Sequence, residues 1–242
     1  MKIIEIKGFP LVKFQKKKRI ESLQQGLIYM KTLRYYREQE ELFNDTVVGD
    51  FGEARWHIND ATMIVTPVAG GESESGALND VWFNTIHSDD YVFCLSGVYP
   101  FKNKAFEYTQ EQKEKISEFG DTALIITDVY EFYRRVLDSA EKSEFITKGN
   151  FVYYYDETID EANRIFSLLL DLRNIAFQKR KKYSYQQEYR FLLTPKIENK
   201  SEFIKLNIGN IEDISVIFKT SDLLNSRIEQ MGYHTVGDQL YY

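Results

Sequence analysis

Gln186, Glu188 and Arg190 recur at two-residue intervals within Tyr183-Ser-Tyr-Gln-Gln-Glu-Tyr-Arg-Phe-Leu-Leu193, and on a strand that spacing puts all three on one face. Tyr189, Phe191 and Leu193 then point the other way, toward a core. A strand-borne carboxylate bordering a cleft can hold a ribose 2′-hydroxyl. It can also stabilise the positive charge that develops at the adjacent anomeric carbon as a glycosidic bond breaks. Gln186 would lie about 6–7 Å along the same strand, near enough to orient an incoming acceptor. The same spacing has a plainer account, in which Glu188 and Arg190 form a surface ion pair of little energetic weight. Taken alone, the spacing favours that plainer account.

The remaining chemistry-bearing residues narrow the field mostly by exclusion. The chain has no Walker A loop, no GxGxxG after a strand, no HExxH and no GxSxG, which removes generic NTPase, dinucleotide oxidoreductase and zinc-protease readings. His57, His87 and His234 are too scattered to make a metal site and read as surface or loop residues. Asp45, Asp50 and Glu53 share a Gly-containing loop. They could collect a divalent cation as a metal-dependent nuclease would, although acidic residues in such loops are commonly just solvated, and no metal ligand is assigned. Cys94, inside Tyr91-Val-Phe-Cys-Leu95, reads as a small buried hydrophobe with no base to activate it. As the single cysteine, it excludes an internal disulfide framework and suits a reducing cytoplasm.

A formal net charge of −6 argues against a surface that binds nucleic acid all over. Two local basic runs stand out, Lys16-Lys-Lys-Arg19 and Lys179-Arg-Lys-Lys182. The second follows an apolar helical pattern and would complement the negative end of a helix dipole. Alternatively, interleaved with Tyr183 and Tyr185, it could pair phosphate contacts with base stacking in a non-enzymatic nucleotide- or nucleic-acid-binding module. No apolar run is long enough to span a membrane, and no membrane partner is expected.

Positioning these residues requires a sheet. Strand-type runs are expected at Leu11–Phe14, Leu27–Met30, Thr62–Thr66, Tyr91–Ser96, Thr122–Ile126, Phe151–Tyr155, Glu188–Thr194, Phe203–Leu206 and Ser215–Phe218. Helices are expected over Lys16–Gln25, with Gly26 as a left-handed stop, and over Asp128–Leu137, Thr158–Gln178 and Ser221–Met231. In Thr158–Gln178 the residues Ile159, Ala162, Phe166, Leu169, Leu172 and Ala176 recur at helical spacing and predict an inward apolar stripe. Long loops are expected at about 43–60 and 67–80, where Gly, Asp, Asn and Ser cluster. The expectation is one domain over 1–242, of α+β class, with a mainly antiparallel, possibly split sheet and helices packed on it.

Several segments taken in order resemble a widespread bacterial family of unknown function. They are Leu11-Val-Lys-Phe14, Gly26-Leu-Ile-Tyr-Met30 with Asn44-Asp45 and Gly52-Glu53, Tyr91-Val-Phe-Cys-Leu-Ser96, Phe119–Ile126, and Gln186-Gln-Glu-Tyr-Arg190. The layout is also similar to the ADP-ribosyltransferase superfamily, whose late (Gln/Glu)-x-Glu strand grips NAD. That resemblance implies catalytic roles for Glu188 on the ribose and Gln186 on the acceptor. It implies NAD-binding positions at Lys13, which stands where Arg or His is usual, and at Thr32, Tyr35 and Tyr36. The implied activity is transfer of ADP-ribose from NAD to a protein or nucleic acid, by a toxin or phage-defence effector with a possible antitoxin or defence partner.

Overall fold

The computed structural model describes residues 6–45, 47–66, 71–98, 105–159, 162–197 and 199–229. In chain order, β1 (Leu11–Gln15), α1 (Lys17–Gln24), β2 (Leu27–Thr32) and α2 (Leu33–Phe43) lead into a hairpin of β3 (Arg55–Val65) and β4 (Glu74–Asn84). There follow β5 (Tyr91–Gly97), β6 (Ala105–Glu107), α3 (Gln110–Ser117), β7 (Thr122–Ile126), α4 (Val129–Lys142), β8 (Phe145–Phe151) and β9 (Tyr153–Tyr155). The remaining elements are α5 (Ala162–Leu170), β10 (Gln178–Arg180), β11 (Glu188–Pro195), β12 (Phe203–Asn207), β13 (Ser215–Lys219), α6 (Thr220–Leu224) and β14 (Arg227–Glu229).

Eight strands form the main sheet, in the order β12-β2-β5-β1-β7-β13, with β11 on β5 and β8 on β11. Every pairing in it is antiparallel, so the α+β class and mainly antiparallel sheet expected from the strand pattern are present. The sheet is also split. One edge of β5 pairs with β11 from Tyr91 to Ser96, whereas the other edge is shared. Tyr91 and Val92 pair with Thr32 and Lys31 of β2, and Ser96 and Gly97 pair with Val12 and Leu11 of β1. Between these contacts β1 and β2 diverge and leave a gap floored by the middle of β5.

Alternation along the strands loads both faces of the sheet. Tyr189, Phe191 and Leu193 join Leu11, Leu124 and Phe93 in a core covered by Ile20 and Leu23 of α1 and Phe132 and Val136 of α4, as the period-two reading requires. Val12, Phe14, Ala123 and Ile125 face the other way, onto Ile116 of α3 and Leu223 and Leu224 of α6.

Gly26 ends α1 with φ +95°, the left-handed stop expected of it, and its Cα approaches the Gly209 carbonyl so closely that an added Cβ would lie 2.1 Å from that oxygen. Gly26→Ala is therefore expected to destabilise the fold by roughly 2–4 kcal/mol, from left-handed strain plus overpacking. Gly76→Ala, where a Cβ meets nothing within 4 Å, should stay within about 0.5 kcal/mol. Urea unfolding of both variants checks the contrast.

Several expected elements differ. The long helix over Thr158–Gln178 is instead α5 followed by a 3-10 segment, Leu172–Phe177, because Asp171 is extended and its carboxylate accepts from the Arg173 amide. Of the expected stripe, Ala176 is buried as expected, whereas Ile159, Phe166, Leu169 and Leu172 are exposed; Leu168, Ile175 and Phe177 are also buried. The loop expected at 67–80 is largely β4, paired with β3 from Val65↔Glu74 to Arg55↔Asn84, and the loop at 43–60 yields to β3 from Arg55 onward; residues 67–70 lie outside the described residues. Ser221–Met231 is not one helix. Its helical part, α6, ends at Leu224, and β14 pairs with β6. Residues 230–242 lie outside the described residues. No described helix is long and apolar enough to cross a membrane.

Candidate functional site

The gap between β1 and β2 opens into a cleft of ≈ 840 Å³. Of the residues singled out from the sequence, Lys13, Tyr35, Tyr36, Gln186 and Glu188 all line it. Thr32 does not; its buried hydroxyl accepts from the Tyr35 amide at 3.2 Å and caps α2. That cap fixes the first turn of the helix carrying Tyr35 and Tyr36, so Thr32 supports the cleft wall from behind it.

The strand bearing Glu188 begins later than the spacing implies. Lys181–Gln186 is a 3-10 turn, Gln187 is left-handed at φ 45°, and β11 starts at Glu188. The turn is tied to the end of β5, where Gly97 N donates to Gln187 O (2.7 Å) and Ser96 Oγ to Gln186 O (2.8 Å). Gln186 and Glu188 meet nevertheless, through a third residue. Lys179 Nζ donates to Gln186 Oε1 at 2.6 Å and to Glu188 Oε1 at 2.7 Å.

Glu188 and Arg190 do form an ion pair, with Nε to Oε2 at 2.6 Å, but it is buried rather than on the surface. The Arg190 guanidinium also makes a two-pronged contact with Glu53 (2.9 and 2.5 Å) and donates to the Ala176 carbonyl at 2.6 Å. The cleft floor is thus a chain of alternating charge, Lys179, Glu188, Arg190, Glu53, every member under 10 % exposed. Burial pushes the Glu188 carboxyl up, but Arg190 and Lys179 together outweigh it and hold the group well below the usual carboxylate range. Glu53 is also pushed up by burial, against the pull of Arg190 and Lys179.

Glu188 is therefore ionised in the folded chain at all ordinary pH. A carboxylate with a depressed folded pKa contributes stability above its unfolded pKa of about 4.3 and loses that contribution as pH falls. The stability advantage of wild type over Glu188→Gln is accordingly expected to shrink between about pH 5 and pH 2. Urea unfolding across that range measures it, and a constant difference would contradict an ionised, doubly paired Glu188.

Lys13 completes the floor from β1. Its Nζ donates to the Cys94 carbonyl at 2.7 Å, in the stretch of β5 that β1 and β2 leave uncovered, and lies 5.0 Å from the Phe93 ring centre. Burial lowers its pKa. Unlike Lys179 and Arg190, Lys13 has no carboxylate within ion-pair distance among the described residues. An ammonium carries three donors, so two remain for a ligand. The Cys94 thiol lines the same cleft, and burial pushes it up to about 12, which makes it inert as the sequence suggests.

Other expectations are corrected here. The basic run after α5 does not solvate a helix end. Lys179 and Arg180 are buried, the latter donating to Asp50 at 2.7 Å and pairing with Glu40. Tyr183 and Lys182 also reach Glu40, at 3.0 and 2.8 Å, so this segment clamps α2 and the loop after it. The same pairings absorb the acidic loop. Asp50 meets Arg180, Glu53 meets Arg190, and Asp45 accepts from the Val47 and Val48 amides. Among the described residues no group of His, Cys, Asp and Glu could hold a metal ion. His57 is buried, stacked on Trp82 at 4.2 Å and bonded to Asp80 at 2.8 Å; His87 pairs with Asp90 at 2.9 Å, and His234 lies outside the described residues.

Lys179 and Glu53 are the floor residues that sequence reasoning placed elsewhere. The available signal was arithmetic: a buried Glu188 and Arg190 each need further partners, and the candidates lay in the basic run and the acidic loop. No family model, curated protein or solved structure matches the chain.

Proposed function

We propose that this chain is an ADP-ribosyltransferase-like enzyme that takes NAD as substrate and uses Glu188 as its charge-stabilising carboxylate. The observation that carries the reading is the convergence of Lys13, Tyr36, Gln186 and Glu188, from three separate segments, on one cleft at the split of the sheet. A volume of ≈ 840 Å³ falls within the range of about 300–1,000 Å³ found for ligand pockets. The residue types suit a dinucleotide, with Lys13 for phosphate, Tyr35 and Tyr36 as aromatic walls and Glu188 for ribose hydroxyls.

In this reading Glu188 holds the ribose beside the nicotinamide and stabilises positive charge at its anomeric carbon. The bond from that carbon to the nicotinamide nitrogen breaks, and nicotinamide leaves as a neutral base with the bonding pair. An oxygen or nitrogen of the acceptor bonds to the carbon and its proton passes to solvent. Lys179 and Arg190 each occupy one position on the two Glu188 oxygens. A carboxylate offers about four lone-pair sites, so each oxygen retains one for a hydroxyl. Gln186, pinned by Lys179 and donating to Tyr185 at 3.1 Å, keeps one amide hydrogen to orient the acceptor.

The same double pairing supports a second reading, a nucleotide-binding protein that performs no transfer, in which Glu188 serves only to neutralise its two cations. Release of nicotinamide from NAD, compared between wild type and Glu188→Gln, separates the two. Nicotinamide release that both proteins share, or that neither shows while NAD still binds, removes the enzymatic reading.

A further inference from the structure

The mouth of the cleft differs in charge balance from its floor. Lys16, Arg19, Lys31 and Lys205 stand around it, and among the described residues none has a carboxylate within ion-pair distance, although Glu118 shares the rim. Lys16 and Arg19 belong to the basic run at the start of α1, where no acidic residue offsets them. Cations in a first helical turn oppose the helix dipole, so this placement does not serve the helix. It leaves uncompensated positive charge on a chain of net charge −6.

Exposed aromatic rings alternate with those cations. On the outward face of β2 and β12, Lys31 pairs in register with Phe203, and Tyr29 with Lys205. Tyr29 and Phe203, 41 % and 42 % exposed, stack at 5.2 Å with their planes 27° apart. Lys31 Nζ sits 4.4 Å from the Tyr35 ring centre and 5.4 Å from that of Phe203, so one platform runs from the sheet face to the cleft wall.

We infer that this rim binds a single-stranded nucleic acid and leads it to the mouth of the cleft. The cations supply phosphate contacts, and exposed tyrosine and phenylalanine faces supply sequence-tolerant stacking that only unpaired bases can use. An acidic peptide would use the cations and leave the rings without a role. That such a strand is also the transfer acceptor rests on the proposed function; its binding does not.

The test is fluorescence anisotropy with labelled twelve-residue oligo(dT) and oligo(A) RNA, on the full chain without NAD, across a salt series. Four phosphate contacts give a slope of log K against log salt of about −2.8 for a single strand. Lys31→Ala/Lys205→Ala should reduce that slope by about 1.4. Tyr29→Ala and Phe203→Ala should each weaken binding roughly five- to hundredfold, and Lys142→Ala, on the remote α4, should leave it unchanged. Circular dichroism melts establish that each variant is folded. Absent binding at low salt, equal binding of a duplex, equal binding of a polyglutamate peptide, or insensitivity to the rim variants in folded protein would overturn the inference. Oligonucleotide binding without NAD turnover sinks only the transferase reading, and NAD turnover without oligonucleotide binding sinks only this one.

Discussion

Replacing Arg190 by methionine is expected to destabilise the protein by about 3–5 kcal/mol, read as a fall in the urea midpoint. Arg190 is 2 % exposed and joins Glu188, Glu53 and the Ala176 carbonyl in one planar contact. Without it two buried carboxylates share Lys179, which lies 2.7 Å from Glu188 but 3.9 Å from Glu53. Burial then acts on those carboxylates with less opposition and raises their pKa, so the deficit should narrow as the pH falls and they protonate. Arg190→Met/Glu53→Gln should regain much of the loss, because it removes the charge left stranded. Arg190→Lys should lie between, keeping a cation but not the fork that reaches both acids. A loss under about 1 kcal/mol for Arg190→Met would mean that the floor is open to water.

Glu188→Gln is expected to lower nicotinamide release from NAD by about 10²–10³-fold, the scale for losing one preorganised electrostatic contact to a transition state. Glutamine keeps the size and one acceptor oxygen, so ground-state binding should change far less and the loss should appear in kcat rather than KM. Gln186→Ala should behave differently. If Gln186 orients the acceptor, its removal lowers transfer while hydrolysis of NAD to free ADP-ribose persists. A parallel fall of both activities in Gln186→Ala would assign the residue to the carboxylate's support, through their shared Lys179.

These two sites show how unevenly the sequence could be read. The alternation of Tyr189, Phe191 and Leu193 against Glu188 and Arg190 is a local property of an extended chain, and it holds in β11. The strands at Leu11, Leu27, Tyr91, Thr122, Phe203 and Ser215 follow for the same reason, since β-branched and aromatic runs bounded by turns suit a half-buried strand wherever they pair. The helix expected over Thr158–Gln178 is interrupted because Asp171 accepts from the Arg173 amide, and of its expected stripe Ala176 is buried while Phe166 and Leu169, ahead of the break, face out. The Gly- and Ser-rich stretch before Asp80 became β4 because β3 supplied a partner that composition does not reveal.

What the sequence determined by itself was the α+β class, the strands of the main antiparallel sheet other than β8, and the polar identity of Gln186, Glu188 and Arg190. Whether that polar row met water or a cleft was decided by the tertiary structure alone. Glu53 and Arg190 are 137 positions apart, and no periodicity links residues at that distance. Their pairing brings the loop after α2, which Arg180 also holds through Asp50, against β11. Burial is a sum over contacts from many segments, so the same Glu188–Arg190 pair that spacing reads as a solvated surface contact becomes the charged floor of a cleft.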